Sequence, residues 1–143
     1  MPYRYLEDIA TADAAFEAYG ESVEEVFLAA AEATTRVMIE DPDAIQAREN
    51  ISIQLKNSEL DMLLFDFLQE IIYLKDSRCL LLRINALHID LENSPLTLTA
   101  EAAGETMIQR HHPLLTDVKA VTLHRFEIKR NETGWIATVI LDI

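Results

Sequence analysis

Apolar residues recur every third or fourth position over two stretches of the chain and every second position over most of the rest. The first helical stretch opens at Ser22-Val23-Glu24-Glu25. This is a capping box: the serine hydroxyl takes an orphan backbone amide while the glutamate reaches back to the cap. Behind it Val23, Val26, Phe27, Ala30, Thr34 and Val37 share one face. Asp41-Pro42 bounds the helix, because the residue before proline avoids helical geometry. The second stretch covers 60–74, with Ser58 as its predicted cap and Glu59 and Asp61 near its positive end. Apart from Asp61, Asp66, Gln69 and Glu70 it is almost wholly apolar. A helix apolar over so wide an arc lies between layers or keeps part of its surface for a partner.

The remainder alternates as strands do. Ala14–Tyr19 reads as a short strand closed by Gly20, and Ile51–Lys56 as a strand with one wet face. Leu80, Leu82 and Ile84 share one parity and Leu87, Ile89 and Leu91 the other, so Asn85-Ala86 marks either a bulge or a break between two strands. Val121 and Leu123 against Phe126 and Ile128 show the same switch at His124-Arg125. Leu96–Ala102 alternates, and Asn131-Glu132-Thr133-Gly134 is a hairpin turn feeding a last strand, Trp135–Asp142. The expected architecture is α+β: one domain over 1–143, with a mixed or antiparallel sheet carrying two main helices.

Composition narrows the function. Twenty-five acidic residues against twelve Lys and Arg give a net charge of −13. That opposes direct grip on a nucleic-acid backbone, which needs clustered cations, and suits a cation or a basic protein surface. The one cysteine, Cys79, excludes an intrachain disulfide and a cysteine-based zinc site; opening an apolar run, it is expected in the core. The first residues lack the basic start and apolar centre of a signal peptide, and no stretch is apolar enough to span a membrane, so a cytoplasmic location is expected.

Catalytic motifs are few. There is no phosphate-cradling glycine loop, nucleophile elbow or metalloprotease helix. His111-His112-Pro113, with Glu105 as a partner, is the most enzyme-like cluster, although adjacent histidines before a proline are usually surface residues. His88 reads as an exposed strand residue. Asp13, near the start, and Asp142 with the Ile143 carboxylate, after an apolar strand, are hard oxygen donors of the kind calcium and magnesium prefer. Asp13 reads equally as a turn residue.

The order of motifs along nearly the whole chain resembles the archease family. It runs from Tyr5-Leu6-Glu7 and Thr11-Ala12-Asp13 through Ala18-Tyr19-Gly20, the Ser22 helix start and Leu64–Leu74. It continues through His112-Pro113, the 118–124 segment Val-Lys-Ala-Val-Thr-Leu-His and Gly134-Trp135, and closes on Leu141-Asp142-Ile143. The sequence departs from the pattern before Thr11. Where many relatives read Glu-His-Thr-Ala-Asp, this chain carries Asp8-Ile9-Ala10 after Glu7; the histidine is absent and the segment is longer by two residues.

The resemblance implies a non-enzymatic cofactor of tRNA splicing. It would activate an RtcB-type RNA ligase by promoting guanylylation and repeated turnover, and meet tRNA only through the ligase. It further implies a divalent cation, calcium foremost with magnesium or manganese as alternatives, held by Asp13, Asp142 and Ile143. Lys119 matches a position linked to activation, and His124 belongs to the same motif. Two other readings stand beside this one. One is a metal-dependent hydrolase using His111 and His112; the other is a chaperone-like scaffold, for which the apolar 60–74 helix is the support.

Overall fold

In a computed structural model, which describes residues 2–6, 13–108 and 112–143, the two helical stretches become α1 (Val23–Met38) and α2 (Leu60–Arg78). The capping box forms: Glu25 N donates to Ser22 Oγ at 3.2 Å, and Ser22 N donates to Glu25 Oε2 at 3.4 Å. Helix α1 stops at Met38, and Asp41 instead caps a short 3-10 turn at Pro42–Ala44. The predicted cap of α2 is displaced by one residue. Glu59, not Ser58, takes the cap position, and its amide is held by Asn57 Oδ1 at 3.0 Å.

Among the described residues, eight strands surround the helices: β1 (Tyr3–Leu6), β2 (Asp13–Gly20), β3 (Glu49–Asn57), β4 (Leu80–Asp90), β5 (Leu96–Thr106), β6 (Ala120–Val121), β7 (Glu127–Asn131) and β8 (Gly134–Asp142). They form two sheets rather than one. The first runs β1-β2-β8-β6, with β7 also paired to β8; the second runs β3-β5-β4, and every described pairing is antiparallel. Both helices touch both sheets, so they form the middle layer. That accounts for the breadth of apolar surface on α2: Leu63, Leu64, Phe67, Leu68, Ile71 and Ile72 are all buried, and Phe67 stacks on Phe27 of α1 at 5.9 Å. None of the described helices is long and apolar enough to cross a membrane.

The two parity switches resolve differently. At Asn85 the ladder between β4 and β5 skips one residue, a bulge within a single strand. At His124-Arg125 the chain turns between β6 and β7, with Arg125 at a φ of 54°. The β7–β8 hairpin pairs Asn131 with Gly134, where φ is +151° and an added Cβ would lie 2.3 Å from the Gly20 carbonyl oxygen. Only glycine lets that turn sit against the end of β2. Cys79 corrects the core expectation: it is exposed, closing α2 in a left-handed conformation at φ 51°. The αL position at a helix end points its side chain by backbone geometry, whatever the polarity of the residues after it.

Candidate functional site

Asp13 and Asp142 lie directly opposite each other, on the last rung of the ladder between β2 and β8. Directly opposed residues share a face with Cβ atoms about 5 Å apart. It is the face turned from the helices, because the flanking Ala14 and Leu141 pack toward the core. Both aspartates are half-buried, and among the described residues neither carboxylate has a hydrogen-bond or ion-pair partner. Ile143, next along, is half-buried with its side chain against the core.

On its other side Asp142 faces Ala120 of β6, and Lys119 N donates to the Asp142 carbonyl oxygen at 2.8 Å. One main-chain oxygen of the tail is thereby engaged, and the Asp142 carboxylate remains available. Lys119 itself is exposed and has no ion pair among the described residues. The segment that carries it is held by α2. Lys75 Nζ donates to Val118 O at 2.9 Å and bonds Asp117 and Asp76, while Gln69 Oε1 accepts from Val121 N at 2.8 Å. Burial pulls the Lys75 ammonium down, but its bonds to Asp117 and Asp76 outweigh this and hold it above the ordinary lysine range.

Two like charges opposed across a ladder repel, and a divalent cation between them reverses the sign. Paired carboxylates completed by a main-chain oxygen are a donor set that calcium accepts. Among the described residues there is no cluster of three or more His, Cys, Asp or Glu side chains able to hold a metal. Asp13 and Asp142 are the side-chain carboxylates that the described ladder opposes at this end of the sheet.

The histidine cluster is built for another purpose. His112 is fully buried, which corrects its expected surface position. Its Nδ1 accepts from Ile108 N at 3.1 Å, so Nε2 carries the proton and donates to Glu105 Oε1 at 2.7 Å. Glu105 also accepts from Gln46 N and Arg48 Nε, both at 3.0 Å. The Gln46 amide foremost, with His112 and Arg48 adding and burial opposing, lowers the Glu105 carboxyl below its ordinary range. A carboxylate with three donors is a fastener between loops.

The fold thus brings together Asp13, Asp142, Ile143 and Lys119. His124 is set apart: it is exposed in the turn that leaves β6 and returns opposite Thr138. His111 and the longer segment at 7–12 lie outside the described residues. Sequence reasoning missed Gln69 and Lys75. The available signal was a polar residue inside the apolar run of α2 and a lysine directly after it.

The chain matches the model of the archease protein family over residues 3–143. It is 37% identical to the archease of Methanosarcina mazei over 99% of this chain and 95% of that one. It is 40% identical to the archease of Methanothermobacter thermautotrophicus over 93% and 94%. The solution structure of a Methanobacterium thermoautotrophicum protein superposes with a TM-score of 0.84 at 34% identity, covering 99% of both chains. The fold is also that of a Thermotoga maritima archease described as a possible chaperone, with a TM-score of 0.57 at 23% identity over 96% of this chain and 97% of that one.

Proposed function

The chain belongs to the archease family, and on that footing we propose that it is a protein cofactor of tRNA splicing. It activates an RtcB-type RNA ligase, promoting the ligase's guanylylation and multiple turnover, and acts in the cytoplasm. The observation that carries the reading is the Asp13–Asp142 rung with Lys119 bonded beside it. When bound there, a divalent cation, calcium foremost, neutralises the opposed carboxylates and ties the start of β2 to the end of β8. The Ile143 side chain anchors the tail in the core, which presents its main-chain oxygens next to Asp142. Lys119 then offers a cation to acids or phosphate at the ligase. The guanylylation chemistry stays with the ligase.

The hydrolase alternative would need His112 turned out of its bonds to Glu105 and Ile108. The scaffold alternative drew on α2, whose apolar arc is used by the core.

Mixing the pure protein with its host's RNA ligase, GTP and a divalent ion, and counting ligation turnovers, tests the reading. The wild type should raise both turnovers and guanylylated ligase. Asp13→Ala, and removal of Ile143, should abolish the gain while circular dichroism stays unchanged. Full stimulation by both variants would refute the role of this rung, and no stimulation by the wild type would refute the function.

A further inference from the structure

We propose that Gln69 and Lys75 of α2 are positioning residues that set Lys119 against Asp142, so that α2 acts as the third strand β6 does not have. The inference rests on the ligase-activator reading of Lys119. Strand β6 is only two residues long and has β8 on one side. A strand needs partners along both edges or water on one. Val118 and Val121 are buried, so their neighbouring peptide groups must be satisfied from the protein.

Those partners come from one helix. The Val118 carbonyl takes Lys75 Nζ at 2.9 Å, and the Val121 amide gives to Gln69 Oε1 at 2.8 Å. Between these two bonds the Lys119 amide gives to the Asp142 carbonyl at 2.8 Å. The spacing matches. The six steps from Gln69 to Lys75 rise about 9 Å along a helix, and the three steps from Val118 to Val121 span about 10 Å when extended. The Lys119 segment is therefore pinned at both ends from one side and in the middle from the other.

The Lys75 side chain is only 5% exposed; a buried ion pair replaced as a whole by apolar side chains often loses no stability, whereas removing the ammonium alone takes the donor from the buried Val118 carbonyl. What methionine at 75 would lose is the bond to Val118. Asp76 and Asp117, at 51% and 57% exposure, would return to water.

The test uses the full chain labelled with nitrogen-15. In Lys75→Met and Gln69→Leu the Lys119 and Val121 amides should exchange at least about tenfold faster than in the wild type, while amides of Phe16–Ala18 in β2 are unchanged. At a temperature where circular dichroism shows the fold retained, ligase stimulation should fall, by up to about a hundredfold, the loss that a 1 Å misplacement can cause. Lys75→Arg and Gln69→Glu, which keep a donor and an acceptor, should recover most of it. Unchanged amide exchange overturns the proposal; so does undiminished stimulation despite faster exchange, which would mark the bonds as structural only. If Lys75→Met does not fold, Gln69→Leu carries the same test. A wild type that gives no stimulation defeats the ligase reading instead, and exchange alone then decides whether α2 holds Lys119.

Discussion

Two aspartates oppose one another on the last rung between β2 and β8. Like charges directly across a ladder cost roughly 0.2–1 kcal/mol, and Asp13 and Asp142 face one another with no partner among the described residues. Asp13→Asn should therefore stabilise the cation-free protein, raising its melting temperature by up to about 4 °C. If the rung holds calcium as proposed, the order should reverse in excess calcium, because the wild type would gain RTln(1 + [L]/Kd) and the variant would not. Calorimetry in chelator and in calcium checks both signs; a variant that still gains from calcium would place the ion elsewhere. At this scale the sequence was uneven. Ser22 and Glu25 stand in a local pattern whose chemistry is complete within four residues, and the capping box formed. Ser58, Cys79 and His112 depend on where a helix boundary falls or what a loop packs against, and each was misread.

Among the elements, β5 carries the fastener that joins two loops to the second sheet. Glu105 receives Gln46 and Arg48 from the segment before β3, and His112 from the segment after β5. Its carboxyl is held below the ordinary value of 4.5, chiefly by the Gln46 amide with His112 and Arg48 adding. A carboxyl lowered in the folded state stabilises the protein above its unfolded pKa, and that contribution disappears as pH falls through the lower folded value. Glu105→Gln should accordingly reduce the urea midpoint at neutral pH and flatten its decline below about pH 4.5. Midpoints measured from pH 7 to pH 3 report both changes. An unaltered acid limb would assign the acid sensitivity to other carboxylates. Alternation made the strand cores legible, and the parity switch at Asn85 marked an irregularity that is a bulge in the structure. Nothing in a one-dimensional pattern distinguishes a bulge from a turn, and the switch at His124-Arg125 proved to be a turn.

For the whole molecule, periodicity gave α+β with two helices but left open how many sheets they serve. The width of the apolar arc on α2 fitted either a place between layers or a surface kept for a partner, and the two sheets supply the layers. The meeting of Asp13 with Asp142 required the strand order, and that is a property of long-range pairing which no local signal carries. Net charge is the one global quantity the sequence states outright. At −13 the chain repels acidic surfaces and attracts basic ones over a range set by screening, about 10 Å in 0.1 M salt and about 3 Å in 1 M. If the acids steer the protein to a basic face of the ligase, raising salt from about 50 mM to 500 mM should slow association by about tenfold or more and change dissociation much less. Lys119 then meets acid or phosphate only after docking, so Lys119→Ala should leave the salt dependence of association intact while removing stimulation. Stopped-flow association at several ionic strengths separates the two effects. An association rate indifferent to salt would mean that the acids serve solubility, and that contact surface rather than the long-range field selects the partner.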